Sequence, residues 1–131
     1  MAQDPISPKD VDSFILNEVD SVPHLEALLI LRARRPQSLS TAEVASHLYI
    51  NEDSAASILQ DLERRGLLRS MEGDPNLYGY SPSEDLEALV KQVEITYRRE
   101  LVRVANMIHS KASSAVRDFA RAFRFTKEKP E

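Results

Sequence analysis

The stretch LSTAEVASHLYINEDSAASILQDLERRGLLRSMEGDPNLYGYS, residues 39–81, constrains the fold of this chain more than any other. Ser40 stands where a helix N-cap belongs, Glu43 follows three residues on, and Val44, Ala45 and Leu48 supply an apolar face, the capping-box pattern of a short helix. Asn51 caps a second helix, with Glu52 and Asp53 in its first turn, where the partial positive charge of the helix end favours acids. Ala55, Ile58, Leu59 and Leu62 repeat at three and four, the spacing of one buried face, and Gly66 after Arg64 and Arg65 is a stop. Leu67, Leu68 and Met71 then run into the turn residues Glu72, Gly73, Asp74, Pro75 and Asn76. Leu77, Tyr78 and Tyr80 resume an extended pattern, so a hairpin closes the stretch.

This block resembles the winged helix-turn-helix of the MarR-like transcriptional regulators, at Glu43, Ala45, Leu48, Leu62, Glu63, Arg65, Gly66, Leu67 and Arg69. The resemblance implies a mostly α fold: a winged helix-turn-helix with a two-stranded wing, followed by a long C-terminal dimerisation helix. It also implies a dimeric transcriptional regulator that binds double-stranded DNA, with room for a small-molecule effector between the winged domain and the dimer helices. The family's contact roles map onto Ser54, Ser57, Gln60 and Arg69. Winged helices also serve as protein-protein interaction modules, so a partner-binding protein without DNA affinity is the alternative. The family's turn usually carries Gly where this chain has Tyr49, which asks a tyrosine to take positive φ at a cost.

Charge sharpens the choice. A duplex is met through its phosphates first, and each neutralised phosphate needs a nearby Lys or Arg. The net charge is -4, with one base and five acids in residues 1–20, six bases and eight acids in 21–83, and ten bases and eight acids in 84–131. The DNA-reading part is therefore mildly acidic. The recognition helix exposes Glu52, Asp53, Ser54, Ser57, Gln60 and Asp61, in which Gln60 can pair with adenine but no Arg is placed for guanine. The wing tip offers Glu72 and Asp74.

At 131 residues the chain suits a single unit. It divides into an N-terminal arm and short helix (1–20), the winged domain (21–81), dimerisation helices (82–125) and a tail (126–131). The absence of cysteine excludes disulfides, thiolate zinc sites and cysteine nucleophiles. No segment approaches the roughly 20 apolar residues needed to span a bilayer, so no membrane association is expected and the cytoplasm is the default. His24, His47 and His109 lack zinc-site spacing, and no nucleophile elbow or Gly-rich phosphate loop is present. No metal, no cofactor and no catalytic residue is expected.

Residues 1–6 should fray. Ser7 and Pro8 then begin a short helix with Val11, Phe14, Ile15 and Val19 on one face, packed either on its own subunit or in a dimer interface. Ser21 and Pro23 begin the next helix, running to about Arg35, with Leu25, Leu28, Leu29 and Leu31 inward, His24 neutral and solvent-facing in the first turn, and Arg32, Arg34 and Arg35 complementing the dipole of the last turn.

Ser81, Pro82, Ser83 and Glu84 read as an N-cap, a Pro at the first helical position and an acid at the third. From there Leu86, Val90, Val93, Tyr97, Leu101, Val104, Ile108, Ala112, Ala115 and Phe119 step by four, three and four, which keeps one seam nearly parallel to a helix axis. A compact winged domain does not cover ~40 Å of seam at ~1.5 Å per residue, so homodimerisation through Leu86 to Ile108 is the expectation. Ser110 to Ser114 are poor helix formers and suggest a break. The ending YRRELVRVANMIHSKASSAVRDFARAFR is also similar to small bacterial MarR-like proteins of unknown target, which implies a separate short helix over Ser114 to Phe125. Its apolar residues are Val116, Phe119, Ala120 and Phe123, and its basic ones Arg117, Arg121, Arg124 and Lys127.

Overall fold

A computed structural model describes residues 6–111 of the chain. The order of elements is α1 (Pro8–Glu18), α2 (Val22–Arg34), β1 (Leu39–Ser40), α3 (Thr41–Leu48), α4 (Glu52–Arg64), β2 (Leu68–Met71), β3 (Asp74–Tyr80) and α5 (Glu84–Arg99). A further helix, α6, runs over residues 101–111, the limit of the described part. The expectations for residues 1–5, for the Ser114 to Phe125 helix, and for Ala112, Ala115 and Phe119 lie outside it.

Local signals set most helix boundaries. Ser7 and Asp10 form one capping box and Ser40 and Glu43 another, the Ser40 amide donating to Glu43 Oε1 at 2.8 Å and the Glu43 amide to Ser40 Oγ at 3.0 Å. Asn51 Oδ1 accepts from the Ser54 amide at 2.7 Å. At the other end of α4, Gly66 takes φ +80°, which lets the Leu67 amide reach back to the Leu62 carbonyl at 3.1 Å. The start of α5 is displaced: it is capped by Ser83, not Ser81. The Ser81 amide donates to the Leu67 carbonyl at 3.0 Å, which ties it just beyond the end of β3 and leaves the cap to Ser83.

The expected two-stranded wing, β2 and β3, is joined by a short third strand, β1. The order is β1-β3-β2, all antiparallel, with Leu39 opposite Tyr78 and Leu68 opposite Tyr80. A two-residue strand carries no period to be read, and β1 exists because β3 offers it an edge. Gly73, at φ +86°, turns the hairpin tip.

The core is shared by all the helices. Ile15, Leu25, Leu28, Leu31, Val44, Leu59 and Leu62 are completely buried, so α1 covers the core of its own chain. The expected single rod is two helices. The backbone leaves helical geometry at Glu100 (φ -133°, ψ 51°), and α6 returns along α1, with Arg103 Nη1 on Asp12 at 3.1 Å and Lys111 Nζ on the Leu16 carbonyl at 2.8 Å. The seam residues Val90, Val93, Tyr97, Val104 and Ile108 lie in the chain's own core. Leu86 is half-buried, and Leu101, at the bend, is 53% exposed with its neighbour Val102 at 69%. The bend brings two more large apolar side chains, Val104 and Ile108, into this chain's core, each contributing about 1.5–3 kcal/mol.

Candidate nucleic-acid interface

Helix α4 buries Ala55, Ile58, Leu59 and Leu62 and turns its other side outward. The contact residues inferred from the sequence fall as expected on this uncovered surface: Ser54, Ser57 and Gln60 are exposed on α4, and Arg69 is exposed on β2. Asp53, Ser57, Gln60 and Arg64 follow one another at four, three and four, so they form one outward stripe ending in a base. Arg64 is a contact candidate that the first-turn emphasis missed; its spacing from Gln60 was the available signal.

Asp61 does not belong to this stripe. His24 Nε2 lies 2.9 Å from its Oδ2, and Arg64 bonds its other oxygen. His24 is not solvent-facing but 9% exposed, with Nδ1 2.6 Å from Ser21 Oγ. The first-turn position of His24 gave no hint of this, because the partner that draws it inward lies on another helix. Asp20, His24 and Asp61 bring possible metal-ligand atoms within 4.8 Å of one another. Arg65, however, pairs with both Asp20 and Glu18, and Arg64 with Asp61, so the carboxylates already hold their counter-charges. The cluster works as a polar joint between α1, α2 and α4.

Burial pushes the His24 pKa below its ordinary 6.5, with Arg65 and Lys111 acting in the same direction and Asp20 against it. On acidification the unfolded chain therefore takes up this proton first, and stability falls as pH drops below 6.5. Denaturant melts at pH 7.5 and 5.5 are expected to show that loss, and His24→Gln, which can still bond Asp61, to reduce it. An unchanged pH slope in the variant would locate the titration elsewhere.

The arginines divide by partner. Arg32 pairs with Glu87 and Glu94, and Arg65 with Glu18 and Asp20, so neither is available to a phosphate. Arg34 and Arg35 are exposed at the end of α2, Arg34 Nη2 lying 3.3 Å from His47 Nε2 and Arg35 standing 6.0 Å over the Tyr80 ring. Arg69 makes no ion pair among the described residues. Around these bases the α3, α4 and wing surface exposes Glu43, Glu52, Asp53, Glu72 and Asp74.

Tyr49, between α3 and α4, takes the left-handed conformation (φ 57°, ψ 44°) that the turn requires, and its side chain is 96% exposed. The left-handed region costs an L-residue about 1 kcal/mol, and a ring in water returns little packing. Tyr49→Gly is expected to raise stability by about 0.5–1 kcal/mol, read by urea unfolding. A loss would reveal a packing role for the ring.

Reduced HlyU from Vibrio cholerae N16961 overlays with TM-score 0.50 at 20% identity, covering 70% of this chain and 92% of HlyU. A MarR family protein from Bacillus stearothermophilus gives 0.50 at 21% identity over 92% of this chain and 82% of its own. The PcaV transcriptional regulator from Streptomyces coelicolor gives 0.51 at 16% identity over 90% and 87%. This is the MarR-like winged-helix fold. No family model matches the chain, and no curated protein does. No described helix is long and apolar enough to cross a membrane.

Proposed function

We propose that this protein is a dimeric DNA-binding transcriptional regulator of the MarR-like type, and not an enzyme. The observation that carries the proposal is the uncovered stripe Asp53, Ser57, Gln60 and Arg64 on α4 beside Arg69 on the wing, in a fold shared with a transcriptional regulator. In a major groove the serines and Gln60 reach phosphate and base edges while Arg64 and Arg69 meet the backbone. The phenol of Tyr49, held outward in a costly conformation, adds a further phosphate donor. The test is duplex binding by the full chain across salt concentration. Affinity is expected to fall steeply with salt, and Gln60→Ala with Arg69→Ala to abolish it. Binding that ignores salt, or none at low salt, overturns the reading.

Dimerisation is supported by the apolar patch at the bend. Leu101 adjoins a cleft of about 460 Å³ lined by Leu29, Ile30, Ala33 and Tyr97, and Val102 is exposed next to it. Leu101→Glu with Val102→Glu is expected to give monomers in sedimentation.

One observation favours a second reading, a winged-helix module that binds a protein instead. The acids exposed around α4 outnumber Arg64 and Arg69, and they suit a basic partner better than phosphate. A chain that binds no duplex at low salt but co-purifies with a basic protein would decide for it.

A further inference from the structure

We infer that Glu63 is a positioning residue: its carboxylate pins strand β2 to helix α4, so that Arg69 on the wing and Arg64 on the helix meet a duplex as one rigid unit. The inference rests on the DNA-binding reading above and adds to it the side chain that sets the wing against the helix. Glu63 stands three residues after exposed Gln60 and four after buried Leu59, at the border between the outward stripe of α4 and its core face. From there it turns toward the wing. Its Oε2 accepts from the Ser70 amide at 3.0 Å and from the Ser70 hydroxyl at 2.9 Å, in a half-buried setting where a charged acceptor strengthens both bonds. The residue so held is the neighbour of Arg69.

Two observations place this acid in the service of the wing and not of the helix. Glu63 lies in the last turn of α4, where the partial negative charge of the helix end disfavours a carboxylate. It also makes no ion pair among the described residues, although Arg64 and Arg65 follow it directly and pair elsewhere. The contacts that offset this are the two bonds from Ser70.

The pin sits where the sheet loosens its hold on β2. Leu68, Arg69 and Ser70 pair in regular register with Tyr80, Gly79 and Tyr78, but the register slips between Ser70 and Met71, which stands opposite Asp74. Regular pairing therefore ends at the residue that Glu63 grips, and exposed Arg69 lies one position inside it. Strand β2 is moreover an edge of the sheet, so β3 holds it from one side only. With Ser70 released, the hairpin swings relative to α4, and ordering it again on the duplex costs affinity.

The sign of the effect separates positioning from charge. Glu63→Ala and Glu63→Gln remove the same negative charge, which by electrostatics alone tightens duplex binding equally in both. Only the glutamine keeps an acceptor oxygen for Ser70. In the full chain, Glu63→Ala is expected to weaken duplex binding about 3- to 10-fold and to flatten the dependence of log affinity on log salt by about 0.9, the share of one phosphate contact. Glu63→Gln is expected to bind as well as the parent or better. Arg69→Ala should weaken the parent by a similar factor and add little in the Glu63→Ala background. Ser70→Ala, which removes one of the two bonds and no charge, should weaken binding about 2- to 3-fold, and it carries the test if melting shows that Glu63→Ala does not fold. Independently of DNA, the Ser70 amide should exchange with solvent about tenfold faster or more in Glu63→Ala than in Glu63→Gln. Equal affinities in the alanine and glutamine variants, or an undiminished effect of Arg69→Ala beside Glu63→Ala, would overturn the inference and leave the DNA-binding reading standing. A parent chain that binds no duplex at low salt would remove that reading, and the inference with it, whatever the Ser70 exchange shows.

Discussion

Replacing Arg32 by Met should lower the stability of this protein by about 2–3 kcal/mol, whereas the same change at Arg34, two residues on, should cost under about 0.5 kcal/mol. Both arginines stand in the last turn of α2, where dipole complementarity alone would rank them together. They differ in what they touch. Arg32 Nε and Nη2 reach the two oxygens of Glu87 at 3.0 Å each, and Nη1 bonds Glu94, so one guanidinium ties α2 to two turns of α5. Without it two carboxylates are left at a partly dry helix interface, with Tyr80 Oη still donating to Glu87 and Arg98 to Glu94. Their residual exposure, 33% and 16%, is the reason for expecting less than the full penalty of a buried unpaired charge. In thermal melts the Arg32→Met loss corresponds to roughly 8–12 °C. A variant within 0.5 °C of the parent would show that the link contributes nothing.

The same contact predicts a pH window. Arg32, together with the Tyr80 hydroxyl, holds the Glu87 carboxyl down to about 2 from its ordinary 4.5. A depressed carboxyl contributes stability that is fully present above 4.5 and is lost as pH falls toward 2, because the unfolded state takes the proton first. Acid unfolding in that range should therefore be shallower in Glu87→Gln, and a double-mutant cycle with Arg32→Met should show coupling.

The second large effect concerns the acids at the front of α4. Glu52→Lys with Asp53→Lys should tighten duplex binding about 10- to 100-fold near 0.1 M salt, and steepen the dependence of log affinity on log salt by about two. If α4 enters a major groove, these two exposed side chains approach phosphate, and each reversal replaces a repulsion by a contact. The helix start would lose favourable dipole interactions of about 0.3–1 kcal/mol per residue, so melting is measured in parallel. The neutral pair Glu52→Gln, Asp53→Asn should fall between parent and reversed protein. If affinity and salt slope stay unchanged in both variants, α4 does not face the duplex, and the partner-binding reading takes its place. Tyr49→Gly complements this experiment, since it should strengthen the fold while weakening DNA binding, and a purely structural residue would not move the two in opposite directions.

The sequence by itself determined helices α1 to α4, the hairpin and the exposed positions of Ser54, Ser57, Gln60 and Arg69. Their causes are local: a capping box acts over three residues, an apolar repeat over a few turns, and a glycine stop over one. Only the tertiary structure decided the rest, because the deciding partners are remote in the chain. His24 turns inward for Asp61, 37 residues away, and Arg32 becomes a clamp through Glu87, 55 away. Strand β1 forms only because β3 is there to pair with it. The eleven-residue seam identified the side chains that would be buried but not what would bury them. A periodic apolar face is equally satisfied by another molecule or by its own chain, and the bend at Glu100, with Arg103 reaching Asp12 across 91 residues, chose the latter for Val104 and Ile108.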